Sequence, residues 1–454
     1  MIFESMEQFR SLLPEESVLR AQENSTSSLA LDCGELVSDD SGISGGISAS
    51  VRRGGFLGFS ARSGFRAGNV DAVLREALAN AGKGSSDRIV PPLPAIQNVN
   101  RMEQDDTTRA ERLAFLHALD AYIRAHGPNV RARYLSLDTF ATEKKLICDN
   151  GTASESYFIR YTVYVSLTGE AADGDSVSVD MLDNGSGSMR SYLRGEAAVF
   201  RKLDRLIDAL DRKRRGVFVT PGEKTCILGY DPAIMLVHEA IGHTVEADLV
   251  MGGSIAGRYL GKPVASELIT LGDFAHDMNG SSVPQPIYVD DEGTPARDAM
   301  IIENGILTGY MHDRDSAAAC GVIPTGNGRA FSYSDDPLIR MRNTAILPGS
   351  STFEEMISAT EAGLYLVQAG MGQADTTGEF MIMIIEGYEI KNGKLGNAIR
   401  DTVCSGYAFP VMSSVDMVGD TVGWDIGGMC GKGQPMVTGG GSPLLRCRLK
   451  IGGN

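Results

Sequence analysis

Three Asn-Gly pairs, each set among runs of strand-forming residues, commit much of this chain to antiparallel hairpins. They are Asn150-Gly151, Asn304-Gly305 within Met300 to Tyr310, and Asn392-Gly393 within Tyr388 to Leu395. Asn and Gly tolerate positive φ at the two central positions of a type I′ turn, and that turn's twist matches the twist of the strands it joins. The alternation is clearest ahead of and behind the first pair, in Tyr134-Leu-Ser-Leu137 and in Tyr157 to Val165.

Helical patterns interrupt the strands without strict βαβ order, which favours an α+β fold over a doubly wound sheet. Phe3 to Leu13 reads as a short amphipathic helix, and Ala30 to Phe59 as strands and turns. Val70 to Ala81, Thr107 to Ala125 and Arg194 to Lys213 carry apolar residues at helical spacing. Arg340 to Leu347 and Leu364 to Gln368 read as strands, with a capped helix from Thr352 to Thr360 between them. A chain of 454 residues exceeds one comfortable core. The expected division is an N-terminal α+β domain, 1–215, and a C-terminal domain, 216–454, opened by a helix that carries a metal site. The glycines of Gly427-Gly428 and Gly439-Gly440-Gly441 point to tight loops near a site or a sheet edge.

A formal net charge of −16 gives no general attraction to nucleic acid phosphates. The basic run Arg212-Lys213-Arg214-Arg215 closes a helical pattern and reads as a solvated helix end. No stretch approaches ~18 uninterrupted apolar residues, so no membrane span is expected. The N-terminal residues lack a basic segment followed by an apolar one, so no signal peptide is expected either. Seven thinly spread cysteines fit a reducing compartment, with most thiols packed as small apolar groups. A cytoplasmic protein is the expectation.

The segment Leu228 to Asp248 holds two of the six histidines, in His238-Glu239-Ala-Ile-Gly242-His243. Asp231 as N-cap and Pro232 at the first helical position begin a helix whose apolar run, Ala233 to Val237, marks it as buried. Two buried imidazoles beside a carboxylate need a partner, and a divalent metal supplies one. Histidines four apart converge on a helix, about 40° from each other; five apart, they diverge by about 140°. Gly242 would let the helix break or widen there, and a π-type turn would bring them back to one face. A catalytic zinc site needs a third protein ligand. Glu246, Asp248 and Cys430 are the candidates, and spacing alone leaves them open.

Other motifs carry less. Gly326-Asn-Gly-Arg329 lacks the residues of a phosphate loop and reads as a tight loop. Asp290-Asp-Glu-Gly293 does not fit an EF-hand and reads as a turn beside the cleft. His276 and His312 lie in polar, loop-like surroundings and are expected to be exposed; Cys447 alternates as a packed strand residue. No serine sits in a nucleophile elbow with a partner histidine.

The sequence resembles the TldD/PmbA family of bacterial and archaeal peptidases, once labelled modulators of DNA gyrase, and within it the TldD branch. The resemblance runs through most of the chain and is densest from Tyr230 to Gly452. It rests on His238 to His243, Val264-Ala-Ser-Glu-Leu-Ile-Thr270, Val289 to Pro295, Ile302 to Met311, Pro324 to Arg329, Met341-Arg-Asn-Thr344, Met417-Val-Gly419 and Cys430-Gly-Lys432. It implies a two-domain zinc peptidase with His238, His243 and Cys430 as ligands and Glu239 as general base. It further implies a dimer, of one chain or with a PmbA-like paralogue, and unstructured peptides drawn into an internal cavity as an added β-strand. Given the resemblance, Arg329 is expected near the peptide. One departure is a residue fewer between Lys432 and Gln434 than the family often has. The alternative reading is a non-catalytic peptide-binding or regulatory subunit of a TldD/PmbA-type complex. Retention of His238, Glu239, His243 and Cys430 argues against it.

Overall fold

The computed structural model describes residues 2–82 and 90–452. In the N-terminal half, Phe56–Ser63, Glu35–Arg53, Ser17–Asp32, Ala132–Cys148 and Ala153–Glu170 lie side by side, each antiparallel to the next. Gln97–Arg101 and Ser176–Ser186 both pair with Ala153–Glu170 and complete a seven-stranded sheet. Helix Ala67–Ala81 packs Val70, Val73 and Leu74 against Leu19, Ile47 and Val51. Helices Arg109–His126 and Glu196–Lys213 bury Leu116, Leu119 and Leu203 with Leu29, Leu135 and Val163. The first of these two begins in a capping box between Thr108 and Glu111, which satisfies two of its orphan donors. The expected Phe3–Leu13 helix is a 3-10 stretch, Glu7–Leu12.

These three Asn-Gly pairs turn hairpins, as does Asn279-Gly280 between Asp277–Met278 and Ser281–Ser282. Asn304 and Gly305 (φ 47 and 82) and Asn392 and Gly393 (φ 52 and 68) have the two left-handed residues of a type I′ turn. The first pair differs. Only Gly151 is left-handed, at φ 96, and the Asn150 side chain accepts the Thr152 N–H at 2.9 Å. The loop is one step longer than a two-residue turn because asparagine's own amide closes it.

In the C-terminal half, Gly222–Leu228 lies parallel to Ala362–Ala374 and antiparallel to Leu445–Ile451. Leu445–Ile451 passes to Thr402–Tyr407, that strand to Glu379–Lys391, and Glu379–Lys391 pairs back on Ala362–Ala374. These five strands close a ring. A second sheet runs in the order Ile306–Leu307, Ala299–Glu303, Leu271–Asp273, Asn343–Ile346, Gln434–Ser442 and Gly423–Lys432. Helix Tyr230–Leu236 lies between ring and sheet, against Ala362–Ala374 and Gln434–Ser442. The glycines 439–441 therefore sit inside a strand and not in a loop: a Cβ on Gly440 would lie 2.5 Å from Cγ2 of Ile234 on that helix. Gly427 and Gly428 are on the edge strand, next to a bulge.

Among the described residues no strand of 17–186 pairs with one of 222–451. Side chains join the halves instead. Lys144 Nζ reaches Asp291 at 2.6 Å, Arg160 the Ile426 carbonyl at 3.1 Å, and Asn184 donates to Asp425 at 2.8 Å. Lys213, expected to be solvated, is buried and donates to Asp401 and to the carbonyls of Ser178 and Ile385. The run 212–215 ends its helix against the other half, and only some of its cations reach water.

Candidate metal centre

The helix Tyr230–Leu236 starts at Gly229 rather than at an aspartate cap. Asp231 turns away and accepts the Ala369 N–H at 2.7 Å, which ties the helix to the Ala362–Ala374 strand; burial pushes its carboxyl up to about 6. The chain then widens into a π turn, Val237–Gly242, and leaves through a 3-10 turn, His243–Val245. The wider turn places the two imidazoles together, with ring centroids 5.2 Å apart and planes at 89°. Gly242 matters for another reason than backbone freedom. Its φ of −51 and ψ of −53 are ordinary helical values, but a Cβ there would lie 2.2 Å from Met341 Sδ.

From the far end of the sequence, the edge strand Gly423–Lys432 brings Cys430 to the same point. Ligand atoms of His238, His243 and Cys430 all lie within 4.8 Å of one another, with Cys430 Sγ 3.3 Å from His243 Nε2. Burial disfavours the Cys430 thiolate, but hydrogen bonds from His238 and His243 overcome it and hold the thiol down to about 4. Burial likewise disfavours the His243 imidazolium, yet Cys430 and Glu246 raise it to about 10. Without a metal the thiolate and the imidazolium neutralise each other. Two imidazoles and a soft thiolate are a donor set that fits Zn2+, which uses three protein ligands in catalytic sites.

Glu246 and Asp248, the other candidate ligands, stand outside this group. Glu246 is fully buried and its Oε2 lies 3.0 Å from His243 Nδ1, on the side of the ring away from Cys430; Asp248 is 2.7 Å from Lys432 Nζ. Glu239 shares the π turn with His238. Its Cγ is 3.4 Å from where a Cβ on Gly372 would be, so its side chain runs beside the Ala362–Ala374 strand.

A family profile described as PmbA/TldA metallopeptidase C-terminal domain matches residues 221–453. This chain belongs to the TldD/PmbA family. A metalloprotease TldD homologue of Haemophilus influenzae is 30% identical over 403 residues, 85% of this chain and 80% of that protein. The TldD homologue of Buchnera aphidicola from Acyrthosiphon pisum is 43% identical over 232 residues, half of this chain and 47% of that relative's length. A zinc metalloprotease TldD homologue of Saccharolobus solfataricus is 29% identical over 80% of each chain. Among solved structures, a putative modulator of DNA gyrase from Thermotoga maritima superposes with a TM-score of 0.78 at 18% identity, covering 96% of both chains. TldE of Thermococcus kodakarensis gives 0.75 at 17% identity, covering 98% of both. These two share the fold, which is α+β as expected.

Several side chains of this TldD/PmbA chain stand elsewhere than the sequence suggests. His312 is buried, its Nδ1 3.0 Å from Ser316 Oγ, and burial pushes it down to about 4. The segment around it is not a free loop, because Met311 bridges to Glu246. His276 is half-exposed and stacked on Tyr288. Asp290 to Gly293 do form a turn, but a buried one: Asp290 accepts the N–H groups of Glu292 and Thr294 within it, and Asp291 meets Lys144 and Arg20 of the other half. Arg329 is buried too. It donates to the Met341 carbonyl and lines a cavity between the halves with Lys144 and Phe331. Sequence reasoning assigned no role to Lys432, whose ammonium meets Glu246 and Asp248; its signals were a place two residues after a candidate ligand and in the Cys430-Gly-Lys432 match. Among the described residues no helix is long and apolar enough to cross a membrane.

Proposed function

We propose that this chain is a zinc-dependent peptidase that hydrolyses unstructured peptides, with His238, His243 and Cys430 as ligands and Glu239 as general base. The observation that carries this is the convergence of three donors from segments 187 residues apart, in a member of a metallopeptidase family. The cofactor is Zn2+; when bound, it supplies Lewis acidity, polarising a carbonyl oxygen and acidifying a water. The Glu239 carboxylate takes a proton from the attacking water as its oxygen adds to the carbonyl carbon. The same proton passes to the departing amine nitrogen as the C–N bond breaks. Glu246 holds the His243 ring from behind. Arg329 would contact the peptide through the cavity it lines.

The strand pairing and the reach of the family profile support domains of 1–215 and 216–454. A dimer, either of this chain or with a PmbA-like paralogue, completes the proposal, as does a cytoplasmic location. An extended peptide brings its own backbone groups to a sheet edge, so recognition would depend little on sequence.

Glu239→Ala tests the mechanism. The variant should keep one zinc per chain and bind peptide while losing cleavage, because the base acts on water and not on the metal. Full activity in Glu239→Ala would remove it from the mechanism. Equal cleavage of a folded protein and of its denatured form would rule out selection for unstructured chains.

A further inference from the structure

Among the described residues the two segments that supply the ligands share no β-ladder. The Cys430 strand, at the edge of its sheet, pairs among those residues with Gln434–Ser442 alone, while His238 lies on the π turn and His243 directly after it. A metal site needs its donors held to within about 0.5 Å, so side chains must set the spacing. One ammonium spans the gap. Lys432 Nζ donates to Asp248 and, at 2.8 Å, to the Ile339 carbonyl, and it forms an ion pair with Glu246 Oε2 at 3.3 Å. Lys432 is two residues beyond Cys430, and Glu246 is three beyond His243.

We propose that Glu246 and Lys432 are positioning residues that act as one clamp, fixing the orientation of His243 and the distance between the histidine segment and Cys430. This rests on the zinc reading above. Glu246 Oε2 is shared between His243 Nδ1 at 3.0 Å and Lys432. A carboxylate paired with an ammonium can only accept, so Nδ1 donates a ring proton to Glu246 and Nε2 is the ring atom that faces Cys430. The other oxygen, Oε1, is buried without a partner. A buried acceptor without a partner is destabilising, a cost that an apolar packing residue at this position would not incur. Arg340 supports the same hairpin from beneath. It is fully buried and donates to the carbonyls of Cys430 at 2.8 Å and Gln434 at 2.6 Å.

The test compares the full-length wild type with Lys432→Met, Glu246→Gln and the double variant. Zinc affinity is read by chelator competition, and Co2+-loaded protein is read by its thiolate-to-cobalt absorption. Each single variant should bind zinc about 10–100-fold more weakly. The double variant should be no weaker than the worse single, and the cobalt band should shift in all three; a mere packing role would not move that band. Zinc affinity and cobalt spectra indistinguishable from wild type would overturn the clamp. If Lys432→Met fails to fold, Lys432→Arg takes its place: it keeps the cation and should hold zinc within a few-fold of wild type, and complete loss of zinc by this folded variant would overturn the charge-based role. His243→Ala and Cys430→Ser run alongside. If these two keep zinc, the zinc reading itself is wrong and the clamp falls with it. If only they lose zinc, the clamp alone is wrong.

Discussion

Replacing Gly242 by alanine separates two reasons for a glycine in the π turn. The backbone there is helical, φ −51 and ψ −53, so alanine should adopt it and gain about 1 kcal/mol of helix propensity over glycine. Sterically the position is closed: the added methyl would sit 2.2 Å from Met341 Sδ and 3.1 Å from its Cε, where non-bonded atoms prefer about 3.5–4 Å. Met341 is fully buried, so its side chain can shift only by displacing close-packed neighbours. Overpacking of this kind costs about 1–3 kcal/mol. At the upper end, the net loss is about 2 kcal/mol after the propensity gain. In a Met341→Ala background the clash is gone, and the same glycine-to-alanine change should stabilise by about 1 kcal/mol. The sign therefore reverses between backgrounds, a coupling of about 3 kcal/mol. The assay is the urea midpoint of the four metal-free proteins, with unchanged m-values, since bound zinc would add its own stabilisation. Equal destabilisation by Gly242→Ala in both backgrounds would refute the packing argument and restore a backbone role.

Cys430→Ser should lose most of its zinc on purification while Cys447→Ser keeps it, because Cys447 is buried in the Leu445–Ile451 strand; elemental analysis of the two would decide, and equal retention would exclude Cys430. Metal-free stability should depend on pH from both sides. The Cys430 contribution is fully present above the thiol's ordinary 9.0 and is lost as pH falls through about 4. The His243 contribution is fully present below 6.5 and is lost as pH rises through about 10. Denaturation midpoints should thus be highest between those ordinary values and fall on either side, and Cys430→Ser should flatten the acid limb; an unchanged acid limb would contradict the ion pair.

Elements whose cause is local were legible from the residues themselves. Thr352 caps its helix through Glu355, Glu196–Lys213 ends where its apolar spacing ends, and the hairpins turn at their Asn-Gly pairs. A departure from the regular helix was also foreseeable, as a wide turn or a break, since the five-residue spacing of His238 and His243 leaves a regular helix no way to bring them together; the structure has the wide turn. What stayed hidden depends on partners remote in sequence. Nothing near Lys213 announces Asp401, nothing near His312 announces its burial, and Asp231 prefers a strand amide to its own helix. The choice among Glu246, Asp248 and Cys430 could be foreseen only through family resemblance, because the distance that separates them exists only after a sheet has brought residue 430 beside residue 243.

The order in which the ring closes bears on how the protein is made. Its strand Gly222–Leu228 lies between Ala362–Ala374 and Leu445–Ile451, so one neighbour is synthesised late and the other later still. Pairings of such long sequence separation form slowly, because chain entropy is lost before contacts compensate for it. The histidines leave the ribosome well before Cys430, so a nascent or truncated chain holds an imidazole pair with no thiolate to complete it. If the proposed ligand set holds, metal capture would report on the integrity of the chain through residue 430.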